Sequence, residues 1–104
     1  MFARNVTLQL RPNSATEFTR TVETDVLPVM RTQHGFKDEI TFIERGGREA
    51  VAISLWETRE QSEAYGRDAY PQVLRSLANV VLGTPAVDAY EVSNSTFHKI
   101  AARA

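Results

Sequence analysis

Residues 50–56 read Ala-Val-Ala-Ile-Ser-Leu-Trp, and nothing else in the chain restricts the fold as strongly. Val51, Ile53 and Leu55 alternate with Ala50, Ala52, Ser54 and Trp56, the period of two expected of a β-strand. Both faces of this strand are largely apolar, whereas a sheet wetted on one side shows a polar alternate face. A single layer of helices covers one face, and something further must cover the second. Residues 36–44 and 49–57 flank Arg45-Gly46-Gly47-Arg48, so the two-faced strand is the second arm of a β-hairpin whose glycines can reach positive φ.

The segments on either side supply the helices and the remaining strands. Phe2, Arg4, Val6, Leu8 and Leu10 point one way and Ala3, Asn5, Thr7 and Gln9 the other, a strand closed by Pro12-Asn13. Ser14-Ala15-Thr16-Glu17 has capping-box spacing and opens a helix. Phe18, Val22, Val26 and Met30 follow at intervals of four and share one face of it. Pro28 removes a hydrogen bond and should kink the last turn, at a cost of about 3 kcal/mol unless packing absorbs it. The helix ends near Thr32, and Gln33-His34-Gly35 forms a loop. Thr58-Arg59-Glu60-Gln61 is a second capping box, opening a helix that runs through Ala64 and Tyr65 to about Ala69. Pro71 suits the first turn of a further helix. Its stripe is Val73, Leu74, Leu77, Val80 and Val81, and Gly83, backed by Pro85, is the expected stop. Residues 87–96 read as the last strand and 97–104 as a tail. The order βαββαβ is that of a ferredoxin-like α+β fold, an antiparallel sheet with helices on one face.

Residues 1–104 are expected to form a single domain, with no repeat or linker-like stretch. Twelve Lys and Arg against 13 Asp and Glu leave a formal charge of −1, which removes the electrostatic case for nucleic-acid or anionic-membrane binding. The absence of Cys excludes disulfides and thiol chemistry, and the two histidines are too far apart in sequence for a metal-ligand motif. No apolar run approaches the roughly 20 residues that span a bilayer, and Met1-Phe2-Ala3-Arg4-Asn5 has no apolar signal core. A cytoplasmic location is expected.

Several local features occur in a telling order. Leu8-Gln9-Leu10-Arg11-Pro12 leads the first helix, which ends in Leu27-Pro28 ahead of Gln33-His34-Gly35-Phe36. Ile53-Ser54-Leu55-Trp56-Glu57 then precedes a helix containing Glu63-Ala64-Tyr65. Over nearly its whole length the chain resembles the antibiotic-biosynthesis-monooxygenase superfamily of dimeric α+β barrels. The resemblance implies a homodimer whose two sheets meet face to face, with a pocket in each subunit between sheet and helices. It also implies either a cofactor-free monooxygenase of a small phenol, quinol or anthrone-like aromatic, or a non-catalytic small-molecule-binding or sensing dimer. Trp56 matches the family's strand-end tryptophan, while Tyr65 stands where quinol-oxidising members often carry histidine. Haem degradation is disfavoured, because the family's haem-ligating histidine falls near Arg75. A guanidinium stays protonated and cannot ligate iron. The family's first-strand asparagine falls on Val6, one position and therefore one sheet face away from Asn5.

The residues themselves offer a short set of candidates. His34, in the helix-to-strand loop, is a possible base, since histidine ordinarily titrates near neutral pH; a solvated loop position is the plainer reading. Tyr65, Tyr70 and Arg75 could together hold a phenolate or carboxylate by hydrogen bonds and charge, with a surface ion pair the alternative for Arg75. Trp56 could stack on a planar ligand or simply fill the core. Asn5 could fix a substrate oxygen if its strand register turns it inward. His98 reads as a surface or dimer-contact residue, and Asp38-Glu39 as ordinary hairpin surface charge. No cofactor or metal is expected.

Overall fold

Short-range preferences build most of the elements in the computed structural model, which describes residues 1–97. Strand β1 (Phe2–Leu10) leads into a helical arm made of α1 (Ala15–Thr21), a π-helical turn (Val22–Val26) and α2 (Leu27–Arg31). The hairpin β2 (Phe36–Ile43) and β3 (Glu49–Trp56) follows, then α3 (Arg59–Asp68), α4 (Tyr70–Leu77) and β4 (Val81–Glu91). The four strands form one antiparallel sheet in the order β2-β3-β1-β4, the ferredoxin-like arrangement.

Thr58 and Ser14 illustrate what the capping signal does and does not secure. At α3 the box is complete: the Gln61 N–H donates to Thr58 Oγ1 and the Thr58 N–H to Gln61 Oε1, both at 3.2 Å. At α1 it does not form. The Ser14 hydroxyl turns back to donate to the Pro12 carbonyl at 3.5 Å, and only its backbone carbonyl serves the helix, accepting from the Phe18 N–H at 2.8 Å.

The arm buries Phe18, Val22, Val26 and Met30, the stripe expected from the sequence. A stripe repeating every four residues drifts around a straight helix of 3.6 residues per turn. The π-helical turn corrects that drift with a wider i→i+5 step, in which the Leu27 N–H reaches the Val22 carbonyl. The same turn accommodates Pro28, whose ring would otherwise press on the carbonyl four residues earlier. The strain expected as a kink is thus met by a local change of helix type.

The C-terminal third corrects the sequence reading. Helix α4 stops at Leu77, and Gly83 and Pro85 lie inside β4. Gln9 pairs with Leu82 and Thr7 with Ala86, so three residues of β4 face one of β1. Gly83, at φ +68°, takes a conformation that a side chain would strain, and Pro85 lacks the N–H a regular ladder needs. These two residues build a bulge in a strand that begins six residues earlier than expected. The hairpin turn forms as expected, with Gly47 at φ +73°. The expected tail and His98 lie outside the described residues, except for Phe97.

Helices cover the sheet face carrying Val6, Leu8, Leu10, Ala50 and Trp56, and there the core lies. The opposite face is apolar, and no helix covers it among the described residues. Ile40, Phe42 and Tyr90 are each about half exposed, at 45, 52 and 54 %. A groove of about 760 Å³ runs there between Ile40, Phe42, Ile53 and Leu55 on one side and Val92 and Phe97 on the other. Among the described residues no helix is long and apolar enough to cross a membrane.

Replacing Thr58 with Ala should lower unfolding stability by about 1 kcal/mol. The Ser14→Ala change should cost much less, since that hydroxyl caps nothing. Paired urea denaturation curves check the contrast, and equal losses would contradict it.

Candidate functional site

Alternation along two strands determines which polar side chains meet the helices. On β1, Arg4 shares a face with Val6 and Leu8, and on β3 Ser54 shares one with Ala52 and Trp56. On β2 a one-residue shift between Phe36 and Asp38 resets the alternation. Glu39 is thereby turned to the helix side, opposite Ser54, which in turn lies opposite Arg4. A cross-strand row Glu39–Ser54–Arg4 thus runs beneath the helices. The expectation that Glu39 is ordinary hairpin surface charge fails because the bulge moves it to the other face.

This row borders a cavity of about 40 Å³ between sheet and helices. Phe18, Val22, Val26 and Met30 of the arm close it on one side, and Tyr65, Tyr70, Val73 and Leu77 of α3 and α4 on another. The volume suffices for a few waters, whereas a cavity of about 150 Å³ is needed to hold a benzene ring. An adjoining cleft of about 210 Å³ shares Phe18, Val22, Glu39 and Thr41 with the cavity and continues past Glu23, Leu27 and Ile43.

Aromatic stacking holds the far wall. Trp56 is fully buried and donates from Nε1 to Ser54 Oγ at 2.9 Å. Its ring stacks on Tyr65, centroids 4.9 Å apart, and meets the edge of Phe36 at 5.5 Å. Tyr65 and Tyr70 follow at 6.1 Å, and Arg4 Cζ lies 4.4 Å from the Tyr70 ring centroid and 5.5 Å from that of Tyr65. Arg4 therefore sits against two π faces, a favourable placement for a guanidinium. Gly66 on α3 permits the approach, since a Cβ there would come within 2.9 Å of a terminal Arg4 nitrogen.

The electrostatics follow from burial. Desolvation pushes the Glu39 carboxyl above the usual 4.5, opposed by the hydrogen bond from the Thr41 hydroxyl. Desolvation also raises both phenols, against the pull of the Arg4 charge; for Tyr65 the neighbouring Tyr70 and Glu39 raise it further. Both tyrosines thus remain neutral donors near neutral pH. Arg4 Nε and the Tyr70 hydroxyl are buried without a hydrogen-bond partner among the described residues.

Of the residues singled out from sequence, Tyr65 and Tyr70 line the cavity. Trp56 lies behind Tyr65, with its indole N–H already committed to Ser54. Arg75 is exposed on α4 and His34 on its loop, and neither reaches the cavity lining. Asn5 faces the open side of the sheet, opposite Ile53 and Asp88, because it alternates with Arg4 and Val6. The cavity's cation is Arg4 and its carboxyl is Glu39. Among the described residues no three His, Cys, Asp or Glu side chains come together as a metal site.

A carboxyl with a raised folded pKa destabilises the fold once it ionises, as pH climbs past the unfolded value. Glu39→Gln should therefore melt at a higher temperature than the parent chain at pH 7. The gap should close below about pH 4, where the Glu39 carboxyl of the parent chain is protonated both folded and unfolded. Melting curves across that range check it, and a destabilised variant at neutral pH would refute it.

No sequence-family profile matches the chain, and no curated protein sequence does either. Solved structures do match. A monooxygenase from Streptomyces coelicolor in complex with the ligand Nanaomycin D aligns with a TM-score of 0.75 at 19 % identity, over 90 % of this chain and 88 % of that one. A cofactor-independent oxygenase from Streptomyces nogalater aligns at 0.73 and 14 % identity, over 91 % and 95 %. A candidate antibiotic biosynthesis monooxygenase from Bordetella bronchiseptica aligns at 0.76 and 11 % identity, over 88 % and 95 %. Likeness at this level of identity concerns architecture, and it shows that the chain has the α+β fold of the antibiotic biosynthesis monooxygenases.

Proposed function

We propose that this protein is a cofactor-independent monooxygenase of a small electron-rich aromatic, a phenol, quinol or anthrone-like compound. The observation that carries the reading is the apolar cavity between sheet and helices, bordered by one cross-strand row that holds Arg4 and a carboxyl of raised basicity, Glu39. The fold's occurrence in a monooxygenase in complex with the ligand Nanaomycin D and in a cofactor-independent oxygenase supports it.

The proposed chemistry starts with proton transfer from the substrate to the Glu39 carboxylate, a step worth about 10²–10⁴-fold when the base is well placed. The electron-rich anion that results is held by the Arg4 charge and by the neutral phenols of Tyr65 and Tyr70, in a site sheltered from water. The anion passes one electron to O₂, and the substrate radical and superoxide so formed combine through a new C–O bond. Glu39 returns its proton to the terminal peroxide oxygen. It then removes the second proton from the same carbon as the O–O bond breaks, and the departing hydroxide takes that proton to become water. For an anthrone one CH₂ and one O₂ thus give one C=O and one H₂O; for a phenol the first proton leaves the hydroxyl, so that one O–H, one ring C–H and one O₂ give two C=O and one H₂O. Trp56 contributes by fixing Tyr65. His34 and Arg75, outside the cavity, have no part in this scheme.

A second reading is a non-catalytic binding or sensing protein, and Tyr65 favours it, since a neutral phenol stands in the cavity where quinol-oxidising members often carry histidine. In either case we propose a homodimer. Two copies would bury the half-exposed Ile40, Phe42 and Tyr90 together, answering the need for cover that the two-faced strand creates.

Oxygen uptake in the presence of dihydroxyaromatics and anthrones should exceed the spontaneous rate and fall about 100-fold in Glu39→Gln. An aromatic that raises the melting temperature yet is recovered unchanged after hours would instead establish the binding reading. Light scattering should give twice the chain mass at micromolar concentration, and Phe42→Arg should halve it. A monomeric parent protein would remove the dimer.

A further inference from the structure

We infer that Arg4 and Tyr70 form a subsite for an anionic oxygen, so that the ligand of this cavity is a planar aromatic bearing a carboxylate or an ionised hydroxyl. The inference rests on the small-aromatic reading above and narrows it to one chemical class.

The guanidinium of Arg4 is held but not neutralised. Tyr70 and Tyr65 present ring faces at 4.4 and 5.5 Å, and Gly66 leaves a notch on α3 that the group fills. None of these neighbours offers a full negative charge. Among the described residues the ion pairs are Lys37–Glu57, Arg59–Glu63 and Arg67–Asp68, all at exposed side chains, and no carboxylate comes within 4.0 Å of Arg4. Glu39, two strands away in the same row, is separated from it by Ser54.

Two buried donors on stacked side chains lack acceptors among the described residues: Arg4 Nε and the Tyr70 hydroxyl, with Arg4 Cζ 4.4 Å from the Tyr70 ring centroid. Orphaned buried donors, one of them on a cation, are costly unless some acceptor completes them. A carboxylate fits best, because its two oxygens match the guanidinium fork. A phenolate oxygen serves the same donors singly. Apart from Glu39, Thr41, Ser54 and Tyr65, the rest of the lining, from Val6 and Leu8 to Val73 and Leu77, is apolar and suits a ring. Arg4 is the cation of the lining that such a ligand meets.

The test uses benzoate, the neutral benzamide of the same shape, and 4-nitrophenol, whose ionised form absorbs at longer wavelength. Quenching of Trp56, the single tryptophan, reports binding, since its ring stacks on the cavity residue Tyr65. Benzoate should bind at least about tenfold more tightly than benzamide, the step expected of a charge-assisted bond. The preference should vanish in Arg4→Met and shrink severalfold in Tyr70→Phe. Gly66→Ala is a second probe that favours helix formation while displacing the guanidinium, and it should weaken benzoate more than benzamide. Charge preference confined to benzoate, or to 4-nitrophenol bound in its ionised colour, identifies the carboxylate or the phenolate as the natural group. Equal binding of benzoate and benzamide, with 4-nitrophenol bound neutral, overturns the subsite. So do a preference that survives Arg4→Met and no binding by any of the three probes. Charge-selective binding without oxygen uptake would leave the subsite standing and dismiss the monooxygenase. Uptake on neutral aromatics alone would do the reverse.

Discussion

Trp56 is the point through which the sheet grips the helices. It ends the strand whose both faces are apolar, and it is fully buried. Removing an indole of this kind from a core typically costs about 3–5 kcal/mol. Its stack on Tyr65 orients the first turns of α3, and Tyr65 with Tyr70 in turn orients Arg4. The bond from Nε1 to Ser54 satisfies a donor that would otherwise be stranded in the core, and it ties the tryptophan to the middle of the Glu39–Arg4 row. Packing at the strand end and polarity in the cavity are thus parts of one contact chain.

Much of this architecture is written in local chemistry. The alternation in residues 2–10, the spacing of Phe18, Val22, Val26 and Met30, and the Thr58 box each specify an element without reference to the rest of the fold. Where expectation and structure part, the missing information is long-range. Ser14 carries the same capping letters as Thr58, but its hydroxyl has the Pro12 carbonyl within reach. Gly83 and Pro85 look like a helix stop until β1 is present to pair on either side of them. The site was legible in part. Tyr65 and Tyr70 stood out by type, and Tyr65 also by the family resemblance. Arg4 was already on the apolar side of its strand, which is the signal that could have found it. Glu39 could not be found by period two, because the shift at its strand's start inverts that period, and only pairing with β3 reveals the shift.

The cavity places opposing demands on the same residues. Its polar groups are costly to bury: Glu39 resists ionisation there, and Arg4 and Tyr70 carry donors without acceptors. Three apolar residues in their places would pack more tightly. Stability given up in a confined, preorganised polar cluster is the usual mark of a place where a fold works on something other than itself. The π-helical turn fits that pattern, since Val22 and Val26 within it line the cavity, and such turns recur where proteins bind.

The two irregularities of the sheet fall in its outermost strands, β2 and β4. A flat rim with free N–H and C=O groups invites end-on accretion of further strands, and a bulge twists such a rim away from that geometry. With both margins crimped, the broad greasy side of the sheet is the favoured avenue of approach. Self-association steered in that direction ends in a closed pair, whereas growth along the rims has no natural end.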